Sequence, residues 1–253
     1  MILLLGGTSD ARLLADVLST AGYEILVSTA TAHGAALAGS QVGEVVWGRM
    51  DAEEMAQFMQ ERNIQAVVDA SHPFAETLSQ NAKLATKTCH IGYIRYARAR
   101  QALPEYPLLY PVNTYEEAAD KALRLAHTIF LTTGSKTASI FVQAARGQAK
   151  RLIFRILPDP EGIHHLLQQG VAIGDIVAMQ GPFACDLNIS LLKHFAAEVL
   201  VTKESGDAGG QEDKIEAARM LQIPVVMIQR PSEPEDAVSN PEALLKALKN
   251  LMA

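Results

Sequence analysis

The sequence predicts an α/β protein made of two doubly wound parallel sheets with a cleft between them. Three observations carry this. Short continuous apolar runs, such as residues 1–5 and 128–131, suit strands buried on both faces, and each is followed by helical spacing of apolar residues. The first run breaks at Gly6-Gly7-Thr8-Ser9 and enters a helix, the arrangement that aims a helix N-terminus at an anion. Finally, the alternation pauses where Pro104, Pro107 and Pro111 punctuate the chain and then restarts. A boundary there gives domains 1–102 and 103–253, and with 49% apolar and 20% charged residues each can build a core.

In the N-terminal half the opening strand leads to a helix over residues 11–18, with Leu13, Leu14, Val17 and Leu18 expected on one face. Gly6 and Ala11 fit a G-x-G-x-x-G/A fingerprint, whereas Thr8 occupies its middle glycine. Gly7 and the hydroxyls of Thr8 and Ser9 must then face any phosphate. Arg12 places a cation in the first helical turn, against the macrodipole, and a bound anion would relieve that conflict. A second strand, 23–28, ends at Ser28-Thr29 without an acid, which leaves room for a ribose 2′-phosphate and favours NADP over NAD. Strands follow at 44–47, 66–69 and 92–95, separated by helices near 51–62 and 75–86, the first capped by Asp51. Ala70-Ser71-His72-Pro73 forms the turn after the fourth strand, and Arg95 and Arg98 lie in a basic cluster after the fifth.

The C-terminal half repeats the grammar. A capping box at Thr114 and Glu117 opens a helix to residue 126, and a strand at 128–131 ends in Thr132-Thr133-Gly134-Ser135-Lys136. Further strands are expected at 151–157, 175–179, 198–201 and 225–228, with helices at 137–145, 161–169, 212–221 and 241–251. Residues 67–75 and 176–184 align as a strand, a Pro-Phe turn and the start of a helix, which suggests two related sheets.

Five unusual turns follow strand ends: 6–9, 70–73, 132–136, 180–183 and 203–210. Open α/β sheets bind ligands at such ends, so all five could line one cleft. Metalloprotease, α/β-hydrolase and complete P-loop motifs are absent, as are clustered Cys and His ligands. His72 is the one histidine in these turns and a candidate catalyst; Lys136 and Lys203 are suited to pairing with an anion. The same residues also read as ordinary turn and surface side chains.

Together, Leu5-Gly6-Gly7-Thr8 with Ala11-Arg12, residues 68–75, Thr133-Gly134-Ser135-Lys136, Gly181-Pro182-Phe183 and Val201-Thr202-Lys203-Glu204-Ser205-Gly206 resemble the precorrin-6A reductase family. The order continues through Gly209, Gly210, Lys214 and Ala218 to Arg230-Pro231. The resemblance implies two Rossmann-like domains with dinucleotide and macrocycle between them. It also implies an NAD(P)H-dependent oxidoreductase of cobalamin biosynthesis that delivers hydride to C19 of the ring. NADPH is the expected cofactor, with NADH as second choice. The implied substrate is a tetrapyrrole, precorrin-6A or its cobalt form, fringed with acetates and propionates.

Cofactor contacts are expected from Gly6, Gly7, Thr8, Ser9, Arg12, Ser28, Thr29, Ala70, Ser71, His72, Pro73, Gly134, Ser135 and Lys136. Substrate contacts are expected from Arg95, Arg98, Gly181, Pro182, Phe183, Lys203, Glu204, Ser205 and Gly206, with Lys203 and His72 as catalytic candidates. In one place the chain departs from the family pattern: Ala99 and Gln101 stand where Pro and Trp would follow Arg98.

A net charge of −6 argues against a broad nucleic-acid surface. Two well-separated cysteines, a first strand starting at Met1 and the lack of a long apolar run point to a cytoplasmic protein without a metal centre or membrane span. Other corrin-pathway enzymes are conceivable partners. Two competing readings stay open: a reductase of another substrate, disfavoured by the lack of a Tyr-x-x-x-Lys pair, and a non-catalytic NAD(P)-sensing module.

Overall fold

A computed structural model describes residues 1–7, 9–30, 34–35, 44–98, 102–206 and 209–252, with Ser9 described in its backbone only. The chain divides into two compact units, one comprising Met1–Arg100 with Ser232–Ala253, the other Gln101–Pro231. Both are Rossmann-like, each an all-parallel sheet flanked by helices.

In the first unit the strands are β1 (Ile2–Leu5), β2 (Ile25–Thr29), β3 (Glu44–Trp47), β4 (Ala66–Asp69) and β5 (Gly92–Arg95), in the order β3-β2-β1-β4-β5. Because strand side chains alternate, Ile2 and Leu4 of β1 enter one core and Leu3 and Leu5 another. This is why the run is apolar without interruption. The first core receives α1 (Ser9–Thr20) through Ala11, Leu14, Ala15 and Leu18; the second receives α2 (Ala52–Glu61) and α3 (Glu76–Cys89) through Met55, Met59, Ala82 and Ala85. Leu13, expected on the inner face of α1, is 45% exposed. The small residues Ala11 and Ala15 occupy the inward stripe instead, letting the helix approach the sheet closely. Asp51 forms the expected cap, its carboxylate accepting from Glu53 and Glu54 N–H while the Asp51 N–H donates to Glu54 Oε2.

The first unit is closed by the end of the chain, which differs from a boundary at 102/103. Val238 bridges Tyr96 in parallel fashion, and the last helix, Pro241–Met252, buries Leu244 and Leu248 in the core beside Leu14 and Ile94. The amphipathic pattern of that helix is ordinary; only the packing reveals which sheet it serves.

The second unit contains β6 (Leu109–Val112), β7 (Thr128–Leu131), β8 (Arg151–Ile156), β9 (Ile176–Ala178), β10 (Val199–Lys203) and β11 (Val225–Ile228), in the order β6-β11-β10-β7-β8-β9. One face packs Phe130, Ile153, Leu200 and Val225 against Leu192, Phe195, Ala217 and Ala218. The two Pro-Phe turns that echo each other are placed differently. The first follows β4 in the middle of its sheet, and the second follows β9 at an edge.

Candidate active site

Strand order locates the ligand-binding end of each sheet. In the first unit the chain winds outward from β1 through β2 to β3, then returns beside β1 as β4. The switch point therefore lies between the carboxyl ends of β1 and β4, where ligands of open α/β sheets bind. Gly6-Gly7 and residues 70–73 occupy it.

Gly6 N–H donates to the Ser28 carbonyl at 3.0 Å, and Ala70 N–H donates to the Leu5 carbonyl at 2.9 Å. At Gly6 φ is +143°, and a Cβ there would lie 2.8 Å from the Ala70 carbonyl oxygen. The glycine is required by this close approach. Gly7 is different: it is exposed, and a Cβ there would meet the Gly34 Cα at 3.8 Å, an ordinary contact. Arg12 is exposed on α1, while Asp10 in the first turn forms an ion pair with Arg98. Burial raises the Asp10 carboxyl pKa, against the lowering effect of Arg98. Thr8 and the Ser9 side chain, like Ala99 and Gln101, lie outside the described residues.

Several expected contacts are turned inward. Ser28 and Thr29 are buried, Thr29 beneath Gly7, so this strand tip does not present open hydroxyls to a ribose. Ser71 and Arg95 belong to a network around Asp69, a residue passed over in the sequence. The buried Asp69 carboxylate accepts from Ser71 N–H at 3.0 Å, Ser79 Oγ at 2.5 Å, Tyr93 OH at 2.7 Å and Arg95 Nη1 at 3.0 Å. Burial alone would raise its pKa, but Arg95 and the hydrogen bonds outweigh it and hold the carboxyl below the ordinary range. Arg95 spends Nε and Nη2 on Glu233, at 2.9 and 3.1 Å. Its guanidinium is 5% exposed and holds the C-terminal segment rather than presenting itself to a substrate. His72 is half-buried, and its Nδ1 accepts from Phe74 N–H at 3.2 Å.

In the second unit the switch point lies between β7 and β10. Thr133, Gly134, Ser135 and Lys136 follow β7, and Lys203 ends β10, followed by Glu204, Ser205 and Gly206. Burial lowers the Lys203 pKa, and the nearby Lys136 lowers it further. Glu204, expected to face substrate, is buried; it accepts from Arg230 N–H at 3.0 Å and has the Arg230 guanidinium 3.6 Å away. Gly206 N–H donates to Gln211 Oε1 at 3.0 Å, tying the loop to the next helix, Gln211–Leu221.

Two cations in this unit were not among the expected contacts, although Lys214 belongs to the run that carries the resemblance. Arg155 on β8 and Lys214 on the helix Gln211–Leu221 are 9% and 8% exposed. Burial lowers the Arg155 pKa to about 10. Burial, then Arg155 and Lys203, lowers that of Lys214 to about 7. Their signal was position: Arg155 interrupts an apolar strand, and Lys214 shares a helical stripe with the buried Ala217 and Ala218. Gly181, Pro182 and Phe183 line a pocket with them. Among the described residues, no group of His, Cys, Asp and Glu could hold a metal ion, and no helix is long and apolar enough to cross a membrane.

A glycine-requiring strand end at one switch point and lysines at the other belong to a Rossmann-like α/β protein. The comparisons narrow this. A family model described as precorrin-6x reductase CbiJ/CobK matches residues 1–249, and the chain belongs to that family. A cobalt-precorrin-6A reductase of Priestia megaterium is 41% identical over 252 residues, covering 99% of this chain and 98% of the relative. One of Salmonella typhimurium is 37% identical, covering 91% and 88%. A precorrin-6A reductase of Rhodococcus erythropolis is 33% identical, covering 92% and 90%. A solved CobK precorrin-6A reductase shares the fold with a TM-score of 0.79 at 27% identity, covering 98% of this chain and 96% of the other.

Proposed function

We propose that the protein reduces the 6A corrin precursor to its 6B form, taking hydride from NADPH and delivering it to C19 of the macrocycle. The observation that carries this is the family match along nearly the whole chain. Two relatives named for the cobalt form, at 41% and 37% identity, lead us to favour the metallated substrate, although others so named, at 30–32%, fall below the 33% of the relative named without cobalt.

A nicotinamide cofactor supplies the hydride, so no nucleophile–base triad is required. The close packing at Gly6 and the open backbone at Gly7 fit a phosphate-binding turn, and Gly6, Gly7 and the start of α1 are the residues we assign to holding the dinucleotide. Lys203 and Lys136 are assigned to the ring carboxylates, for which charge-assisted bonds are the strong ones. Because burial lowers the Lys203 pKa, its Nζ is also a better proton donor than that of a solvated lysine. These roles separate kinetically. Loss of a carboxylate partner in Lys203→Met raises KM, whereas loss of a proton donor lowers kcat.

The test is anaerobic incubation with metal-free and cobalt-bearing precorrin-6A, each with NADPH and with NADH, following loss of the reduced nicotinamide. Turnover is expected, fastest with the cobalt substrate and NADPH. Failure of all four combinations with folded protein would overturn the proposal.

A further inference from the structure

Trp47 ends β3 and is 65% exposed. An indole is normally packed away, because its large apolar area is unfavourable in water. Among the described residues no aromatic ring packs on it. We propose that Trp47 is the platform on which the adenine base of the dinucleotide stacks. The proposal rests on the nucleotide reading above and extends it to the far end of the cofactor.

The first argument is position. Val45 packs against the core that holds α1 and Val46 against the other, so alternation returns Trp47 to the α1 side of the sheet. In the parallel register Leu5 pairs with Ser28 and Ser28 with Val46, and one step further Thr29 pairs with Trp47. Gly6, Thr29 and Trp47 therefore form a row across the carboxyl ends of β1, β2 and β3. A Cβ on Gly7 would lie 3.9 Å from Thr29 Cγ2, which puts the glycine turn and the Thr29 side chain on one face. Two strand spacings set Trp47 roughly 10 Å from β1. A dinucleotide whose pyrophosphate lies at Gly6-Gly7 meets the tip of β2 with its adenosine ribose, and its base then falls at the tip of β3.

The second argument is chemistry. Ser28 and Thr29 are buried, so the tip of β2 is a closed surface over which a ribose can lie without filling a pocket. The backbone beyond Trp47 is held and open: Gly48 N–H donates to the Thr29 carbonyl at 3.0 Å, and a Cβ on Gly48 would meet nothing within 4 Å. An exposed ring on a rigid strand end suits a flat purine, because stacking needs only the π-face of the base.

A second copy of the chain is the competing occupant, since β3 is an edge strand. That edge is only four residues long and opens on Glu44, whose charge is paired with Arg62. Short, charged edges resist strand pairing, which favours the nucleotide.

Trp47 is the one tryptophan of the chain, so the emission of the full protein reports this side chain alone. NADP⁺, NAD⁺ and adenosine diphosphate should quench it, and nicotinamide mononucleotide, which lacks adenine, should not. In calorimetric titration Trp47→Ala should weaken NADP⁺ and NAD⁺ by the same factor of about ten, because the base is common to both, while Trp47→Phe retains most of the affinity. With NADPH as the varied substrate, Trp47→Ala should raise KM with little change in kcat. Equal NADP⁺ affinity in wild type and Trp47→Ala, without quenching, would overturn the platform and leave the reductase reading standing. A loss confined to NADP⁺ would overturn adenine as the contact. Emission that changes with protein concentration alone, together with dimers in sedimentation, would overturn the proposal in favour of a second copy. No NADP⁺ binding to folded wild type would overturn the cofactor reading beneath it.

Discussion

Replacing Lys214 with methionine should make the ligand-free protein more stable and flatten its response to alkali. The structure sets both sign and size. Burial, assisted by Arg155 and Lys203, lowers this ammonium from the ordinary 10.5 to about 7. Between those values the unfolded chain holds a proton that the folded chain has lost, so wild-type stability rises with pH across that window. Below it both states are protonated and the full penalty remains. At 1.36 kcal/mol per unit, raising the pH from about 7 to about 9.5 should stabilise the wild type by on the order of 3 kcal/mol through this group. Met fills similar space without a charge, so the variant lacks this increment and begins higher at neutral pH. Urea unfolding of both proteins at the two pH values, with unchanged m-values, measures it. Cys89 and Cys185 occur in both proteins, so their contributions cancel in the difference. Parallel pH–stability curves for the two proteins would refute the reasoning, because they would mean Lys214 stays charged at no cost.

Three further outcomes test the first unit. Gly6→Ala should cost about 1–3 kcal/mol from its backbone conformation alone, and more from the contact with the Ala70 carbonyl, as read by denaturant unfolding. Gly7→Val and Arg12→Glu should fold normally yet weaken NADP⁺ binding in calorimetric titration; unchanged affinity in both would remove this turn from the site. Asp69→Asn should cost about 3–5 kcal/mol by leaving Arg95 with one fewer charged partner in a buried network. Because the Asp69 pKa is lowered in the fold, its contribution is present above the ordinary carboxylate range and lost as pH falls through the folded value. The acid limb of the variant's stability curve should therefore be flatter than that of the wild type.

The strands were legible in the sequence because a strand buried on both faces must be apolar along its length, and residues 2–5, 66–68 and 225–228 are. The turns were legible because glycines and prolines interrupt those runs at the ends where ligands bind. Inward polar groups were not. Nothing near Asp69 in sequence announces Glu233, and the pairing of both with Arg95 exists only once the chain has returned. Arg95 and Glu204 were consequently expected to contact substrate, though each is paired internally. Lys214 and Arg155 lay in plain periodic patterns, but a charged residue on an apolar stripe is usually a snorkelling side chain, and only burial distinguishes the two.

The return of the chain to the first unit also sets an order of events during synthesis. Residues 101–231 form one uninterrupted stretch with a sheet of their own, so they emerge with every strand of that unit in hand. The first unit, although translated earliest, waits for Glu233 to neutralise Arg95 and for Leu244 and Leu248 to pack over β4 and β5 beside α1. Until then the apolar face that α1 covers stays incomplete over β4 and β5, and a buried-to-be arginine lacks one of its acids. The usual N-terminal-first sequence of domain maturation is therefore inverted in this chain: the half made first is the half finished last.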